Sequence, residues 1–142
     1  MKDVIISIIG TQKMEEGLES IELVTDGQYA FNDDKSVLTY LESEITGMDG
    51  TKTTFEVGKN LITMIREGTV NSQMIFEKGK KHVFLYETPF GAATLSVDTH
   101  RIKSGLDEHG GDMELEYAVD VDNVRLGTNA FKINVKEAKA FL

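Results

Sequence analysis

From Met113 to Asp122 the side chains alternate in kind, with Met113, Leu115, Tyr117, Val119 and Val121 on one parity and Glu114, Glu116, Ala118, Asp120 and Asp122 on the other. A period of two belongs to an extended strand whose successive side chains point to opposite faces, so this segment reads as a β-strand with one apolar and one acidic face. The same period sets Phe131, Ile133 and Val135 against Lys132, Asn134 and Lys136, and Leu95 and Val97 against Thr94, Ser96 and Asp98. Strands with one wet face belong to antiparallel sheets, because parallel sheets are covered by helices on both sides.

Between the apolar runs stand turn signals, glycines beside Asp, Asn, Lys or Glu: Asp26-Gly27, Asp49-Gly50, Gly58-Lys59-Asn60, Glu67-Gly68, Lys78-Gly79 and Gly110-Gly111. The runs themselves are rich in Val, Ile, Leu, Thr, Phe and Tyr, which suit a pleated, half-buried surface. Strands are predicted over residues 2–13, 18–31, 36–46, 52–58, 60–67, 70–78, 81–88, 91–103, 112–122 and 124–136. Connections are of hairpin length, and no stretch of helical period is long enough for a parallel crossover. The expected fold is all-β: one domain over residues 1–142, a closed or nearly closed antiparallel meander barrel of eight to ten strands, with the three apolar rows inside. Closure removes the exposed edges that invite aggregation. The last residues, Lys136 to Leu142, predict a turn or two of helix.

With 142 residues, 40% of them hydrophobic, the chain can bury a core. Its 24 acids against 15 Lys and Arg, a formal charge of −9, argue against nucleic acid and against an acidic membrane surface as partners. The absence of cysteine removes disulfides, thiolate-held metals and thiol nucleophiles. Near the N-terminus only Val4 to Ile9, interrupted by Ser7, is largely apolar, too short for a secretion signal or a span, so a cytoplasmic location is expected. Charge is uneven: residues 15–49 hold ten acids and one lysine, 106–122 hold seven acids and no Lys or Arg, and 50–90 hold six bases and four acids. The central third is therefore either a solvated surface or a mildly basic mouth or partner face.

The run Arg66-Glu67-Gly68, then Ser72 to Gly79, Tyr86-Glu87-Thr88-Pro89-Phe90-Gly91, Thr99 and Glu116-Tyr117 resembles the YwiB-like family of small bacterial proteins, a domain of unknown function with a calycin-like β-barrel. At the Thr-Pro-aromatic-Gly piece this chain has Phe90 where the family pattern has Tyr. The resemblance implies a barrel and a bacterial origin, and it carries no catalytic residue across. Lipocalins share the calycin type of barrel, but this chain has no tryptophan and so lacks their N-terminal Gly-x-Trp motif. A barrel of this size is either filled by its own side chains or holds one small ligand.

Four residues form the candidate ligand site. Arg66 continues the parity of Ile62 and Met64, and Arg101 that of Leu95, Val97 and Thr99, so both are expected at the inner rim, where a guanidinium holds a carboxylate or phosphate. Tyr86 and Tyr117 are the polar-tipped aromatics expected to face inward. The expected function is non-catalytic binding of a small, partly apolar anionic ligand, with an interaction module built on a filled barrel as the rival. An enzyme lacks support, since neither a nucleophile elbow nor a phosphate-cradling glycine loop occurs. No cofactor is expected. His82, His100 and His109 have no metal-ligand spacing, and Glu42 with Glu44, like Glu114 with Glu116, reads as outer-face charge. Thr88 to Gly91 reads as a structural corner. Apolar residues on both faces near 36–46 and 60–67 (Val37, Leu38, Leu41; Leu61, Ile62, Met64, Ile65) lead to the expectation of a homodimer.

Overall fold

In the computed structural model, which describes residues 1–121 and 123–138, ten antiparallel strands follow one another in chain order and the last pairs with the first. They are β1 (Lys2–Met14), β2 (Gly17–Asn32), β3 (Lys35–Leu41), β4 (Thr51–Val57), β5 (Leu61–Gly68), β6 (Asn71–Glu77), β7 (Lys81–Thr88), β8 (Gly91–Ser104), β9 (Gly110–Val121) and β10 (Val124–Glu137). The β1–β10 ladder, from Val4 opposite Glu137 to Lys13 opposite Thr128, shuts the sheet into the expected all-β closed meander barrel. Nine of the ten predicted ranges lie within two residues of the observed strands. The third ends early, at Leu41, and a 3-10 turn over Glu44–Thr46 follows, capped by the Ser43 side chain. The predicted C-terminal helix begins instead as strand, with β10 running to Glu137, and residues 139–142 lie outside the described residues.

The three alternating rows face inward. Val97, Met113, Leu115, Tyr117, Ile133 and Val135 are buried, and Leu95, Val119 and Phe131 pack half-buried against them. Full burial of each large apolar side chain is worth about 1.5–3 kcal/mol, which is why the parity of the rows and the register of the ladders agree. The surplus apolar residues of the third and fifth strands divide: Leu38, Ile62 and Met64 join the core, Val37 and Ile65 are half-buried on the outer face, and Leu41 and Leu61 are exposed there.

Antiparallel order places the β2–β3, β4–β5, β6–β7 and β8–β9 connections at one end and the others at the opposite end. The first end is stoppered. Leu106 of the β8–β9 connection packs against the core, and the buried Tyr29 hydroxyl donates to the Asp107 carbonyl at 2.6 Å and lies 3.0 Å from Ser36 Oγ. The second end carries the Thr88-Pro89-Phe90-Gly91 corner. There Phe90 N–H donates to Thr88 Oγ1 at 3.1 Å, and the Thr88 hydroxyl donates to the Gly91 carbonyl at 3.2 Å. Gly91 takes φ +132°, a conformation L side chains rarely adopt. This end also holds the longest connection, residues 42–50.

Among the described residues the ladders are interrupted in three places, one of them a bulge in β10 between Arg125 and Gly127. In β8 a bulge falls between Thr99 and Arg101, after which Ile102 pairs with the inward Leu115. The β6–β7 hairpin pairs only at Asn71–Glu87 and Ser72–Tyr86 and then splays. Its loop bonds to β8 at the bulge, with Gly79 N–H donating to the Thr99 carbonyl at 2.9 Å and Thr99 N–H to the Lys80 carbonyl at 3.2 Å. Among the described residues no helix is long and apolar enough to cross a membrane.

Candidate functional site

A cavity of about 230 Å³ opens from the barrel interior toward the second end, beneath the 42–50 connection. Its apolar wall comes from inward positions of β1 and β2 (Ile8, Ile21, Leu23) and from Phe131 of β10. Gly10 stands directly opposite Phe131 in the β1–β10 ladder, so the ring lies over a position with no side chain of its own. An aromatic group forms one side: Tyr117 lies 4.7 Å from Phe76 and 6.1 Å from Phe131 between ring centroids, and Phe131 meets Phe55 edge-on at 6.3 Å.

Two residues of the polar side, Tyr40 and Arg66, belong to one row across the strands. Tyr40 of β3 stands opposite Thr53 of β4, Thr53 opposite Arg66 of β5, Arg66 opposite Ser72 of β6, and Ser72 opposite Tyr86 of β7. Arg66 keeps only 12% of its side chain exposed, its Nε is buried without a hydrogen-bond partner, and its Nη2 lies 4.0 Å from Glu42 Oε1. Glu42 follows Leu38 and Tyr40 inward and is 1% exposed at its side chain. Its carboxylate accepts from the Thr53 hydroxyl at 2.7 Å and from the Thr46 hydroxyl at 2.8 Å, which ties the 3-10 turn to the barrel wall. A buried carboxylate stands only when so compensated. Burial pushes the Tyr117 phenol up to about 12, against the opposing pull of the Arg66 charge. The Tyr40 phenol is pushed up as well, by burial and then by the Glu42 charge.

Of the four residues singled out from the sequence, the structure brings together Arg66 and Tyr117, both on the cavity wall. Tyr86 faces inward and packs against the core, but it stands two strands beyond Arg66 in the row, behind Ser72, and does not line the cavity. Arg101 corrects the expectation. The bulge after Thr99 reverses the parity of β8, and Arg101 points outward to Glu114 at 3.3 Å and Glu116 at 3.9 Å. Glu42 is the residue the sequence reading misplaced. It is no outer-face charge, and the parity of Leu38 and Tyr40 was the signal that placed it inside.

The mouth is not basic as the central lysines suggested. Lys59, Lys78 and Lys80 sit in connections at the stoppered end, while the cavity takes Glu19 and Glu42 against Arg66. A larger groove of about 590 Å³ lies on the outer wall across β1, β8, β9 and β10, with charges of both signs from Lys103, Lys132, Asp112 and Glu114, and it has no connection to the aromatic group. No histidine lines the cavity: His82 bonds Glu77 at 3.1 Å, and His100 and His109 are exposed. Among the described residues no group of three His, Asp or Glu is placed to hold a metal ion.

Comparison with known proteins agrees with this architecture. The chain is 31% identical over 103 residues, 72% of its length and 71% of the relative, to the uncharacterized beta-barrel protein YwiB of Bacillus subtilis (strain 168). The crystal structure of ywiB protein from Bacillus subtilis superposes with a TM-score of 0.86 over 97% of this chain and 93% of that one, at 23% identity, a likeness of fold. Residues 6–133 match the family described as Domain of unknown function (DUF1934), and the chain belongs to that family.

Proposed function

We propose that the barrel is a non-catalytic binding protein for a small, partly apolar molecule with an anionic group, held in the cavity at its open end. The observation that carries this reading is Arg66, a nearly buried guanidinium on the cavity wall whose Nε has no partner and whose contact with Glu42 is long, at 4.0 Å. A donor left so costs stability unless something else meets it. Tyr117 adds a phenol that stays protonated at neutral pH, and Ile8, Leu23 and Phe131 supply the apolar contact. At about 230 Å³ the space is below the roughly 300 Å³ at which drug-sized sites begin, so the ligand is a small one. Arg101 and Tyr86 lie outside this cavity. Native mass spectrometry of the protein purified from the cell that makes it tests the reading. The expected result is a small-molecule adduct that Arg66→Met removes, and an adduct-free protein or one whose adduct survives Arg66→Met overturns it.

A second reading, self-association through the outer face, draws on Leu41, Leu61, Val83 and Leu85, which are exposed there. Charges such as Lys52 and Glu56 interleave with the first two. Sedimentation at micromolar concentration decides it, and a monomer of 15.8 kDa rejects it.

A further inference from the structure

The charge of the cavity says more about the ligand than Arg66 alone. Its charged lining residues are Glu19, Glu42 and Arg66, two carboxylates against one guanidinium. They are ordered in depth. Glu42 and Arg66 lie almost buried beside each other, whereas Glu19, on the inward parity of β2 and opposite Gln12 of β1, is exposed at the rim. Beyond it the open end carries Glu15 and Glu16 at the β1–β2 tip, with Lys13 beside them, and Glu44 on the 3-10 turn, a net acidic rim. A ligand with only an anionic group must pass this acidic rim and then lie with an unfavourable net charge around it, because a cleft lined by one sign concentrates the opposite sign. A ligand carrying both an anion and a cation meets both.

We propose, resting on the binding reading above, that the ligand is a small zwitterion of the α-amino acid class. Its carboxylate is held by Arg66, its ammonium faces Glu19, and its apolar side chain lies against Ile8, Leu23 and Phe131. The size agrees. A cavity of about 230 Å³, below the roughly 300 Å³ of drug-sized sites, suits a molecule as small as an amino acid.

Three probes of one carbon skeleton separate the charges: L-leucine, 4-methylpentanoate, which lacks the ammonium, and 3-methylbutylamine, which lacks the carboxylate. Each is titrated into the isotope-labelled protein at neutral pH, and the amide and side-chain signals of the cavity residues are followed by NMR. Leucine is expected to bind at least about tenfold more tightly than either truncated probe, the scale of one charge-assisted contact. Glu19→Gln, an exposed position whose change leaves the fold intact, is expected to bring leucine down to the affinity of 4-methylpentanoate, and Arg66→Met to weaken both. If 4-methylpentanoate binds in the cavity as tightly as leucine, or leucine keeps its advantage in Glu19→Gln, the zwitterion assignment fails while the binding reading stands. If 3-methylbutylamine matches leucine, or no cavity signal moves with any probe, both fail.

Discussion

Glu42 holds three things at once: the Thr53 hydroxyl of β4, the Thr46 hydroxyl of the 3-10 turn, and the neighbourhood of Arg66. Glu42→Ala therefore orphans a buried threonine hydroxyl and leaves the guanidinium without its nearest anion. A loss of about 1–3 kcal/mol for each buried group left unpaired is expected, read from the shift in urea midpoint. Glu42→Gln, which keeps two polar atoms in place, loses less, and an equal loss for the two variants refutes the hydrogen-bonding role. Tyr117 ties stability to alkaline pH. Its phenol titrates at about 12 in the fold and at 10.0 when unperturbed, so its contribution to stability is complete below pH 10 and is lost as pH rises toward 12. Thermal melts taken between pH 9 and about pH 11 fall on this account, and Tyr117→Phe, which has no proton to lose, flattens that fall. Arg66 and Tyr117 were legible as inward residues because parity is a local property of the strand. Glu42 shares the inward parity of Leu38 and Tyr40, but parity does not show that two threonines and an arginine stand ready to compensate a buried carboxylate, so its charge reads as outer-face.

At the scale of the element, β8 shows how one residue changes a reading. Up to Thr99 its parity holds, with Val97 buried. The bulge then spends one residue without a partner, and Arg101 becomes an outer-face partner of Glu114 and Glu116. On the same outer face Asp120 of β9 is nearly buried beneath Lys81 of β7 at 2.8 Å and Arg125 of β10 at 3.0 Å. The Arg125 hydrogen bond, then that of Lys81, holds its carboxyl below the ordinary range, and Glu77 and Glu137 are lowered in the same way, by His82 and by Lys2 first. Groups lowered by folding contribute stability that is present above their unfolded values and lost as pH falls through the folded ones. The melting temperature is thus expected to hold between about pH 7 and pH 5 and to drop below about pH 4, with a shallower drop in Asp120→Asn. The Thr88–Gly91 corner makes the other element-scale prediction. Gly91→Ala forces an L side chain into φ +132° and is expected to cost about 1–3 kcal/mol, with Pro89→Ala costing less. Unchanged melting of both variants, together with loss of ligand, rejects the structural reading of the corner.

For the whole molecule, the barrel is closed by a long ladder at β1–β10 and weakest where β6 and β7 splay after two pairs. Backbone groups along Gln73–Glu77 and Lys81–Leu85 lack the ladder bonds that a regular hairpin of this register makes. Amide exchange is expected to be fastest along this seam and slowest in the β1–β10 ladder. Uniform protection around the barrel rejects a preferred opening at β6–β7. At this seam the β6–β7 connection bonds instead to Thr99, beside the β8 bulge that turns Arg101 outward.

Alternation and turn chemistry are local. Met113 to Val119 and Phe131 to Val135 can bury an apolar row only as strands with that face inward, and hairpin-length connections leave an antiparallel meander as the path. The sequence alone therefore determined the all-β class, the order and nearly all the limits of the strands, and which rows fill the interior. Where the interior stays open is a matter of packing between strands far apart in the chain. A cavity depends on which side chains of distant strands share one level of the barrel, and that is set by ladder registers and by the early end of β3 at Leu41, neither of which a period of two contains. For the same reason Arg66 came to lie beside Glu42 and Tyr117 while Arg101 and Tyr86 did not. Long-range register, unlike parity, is fixed by the energy of the packed whole.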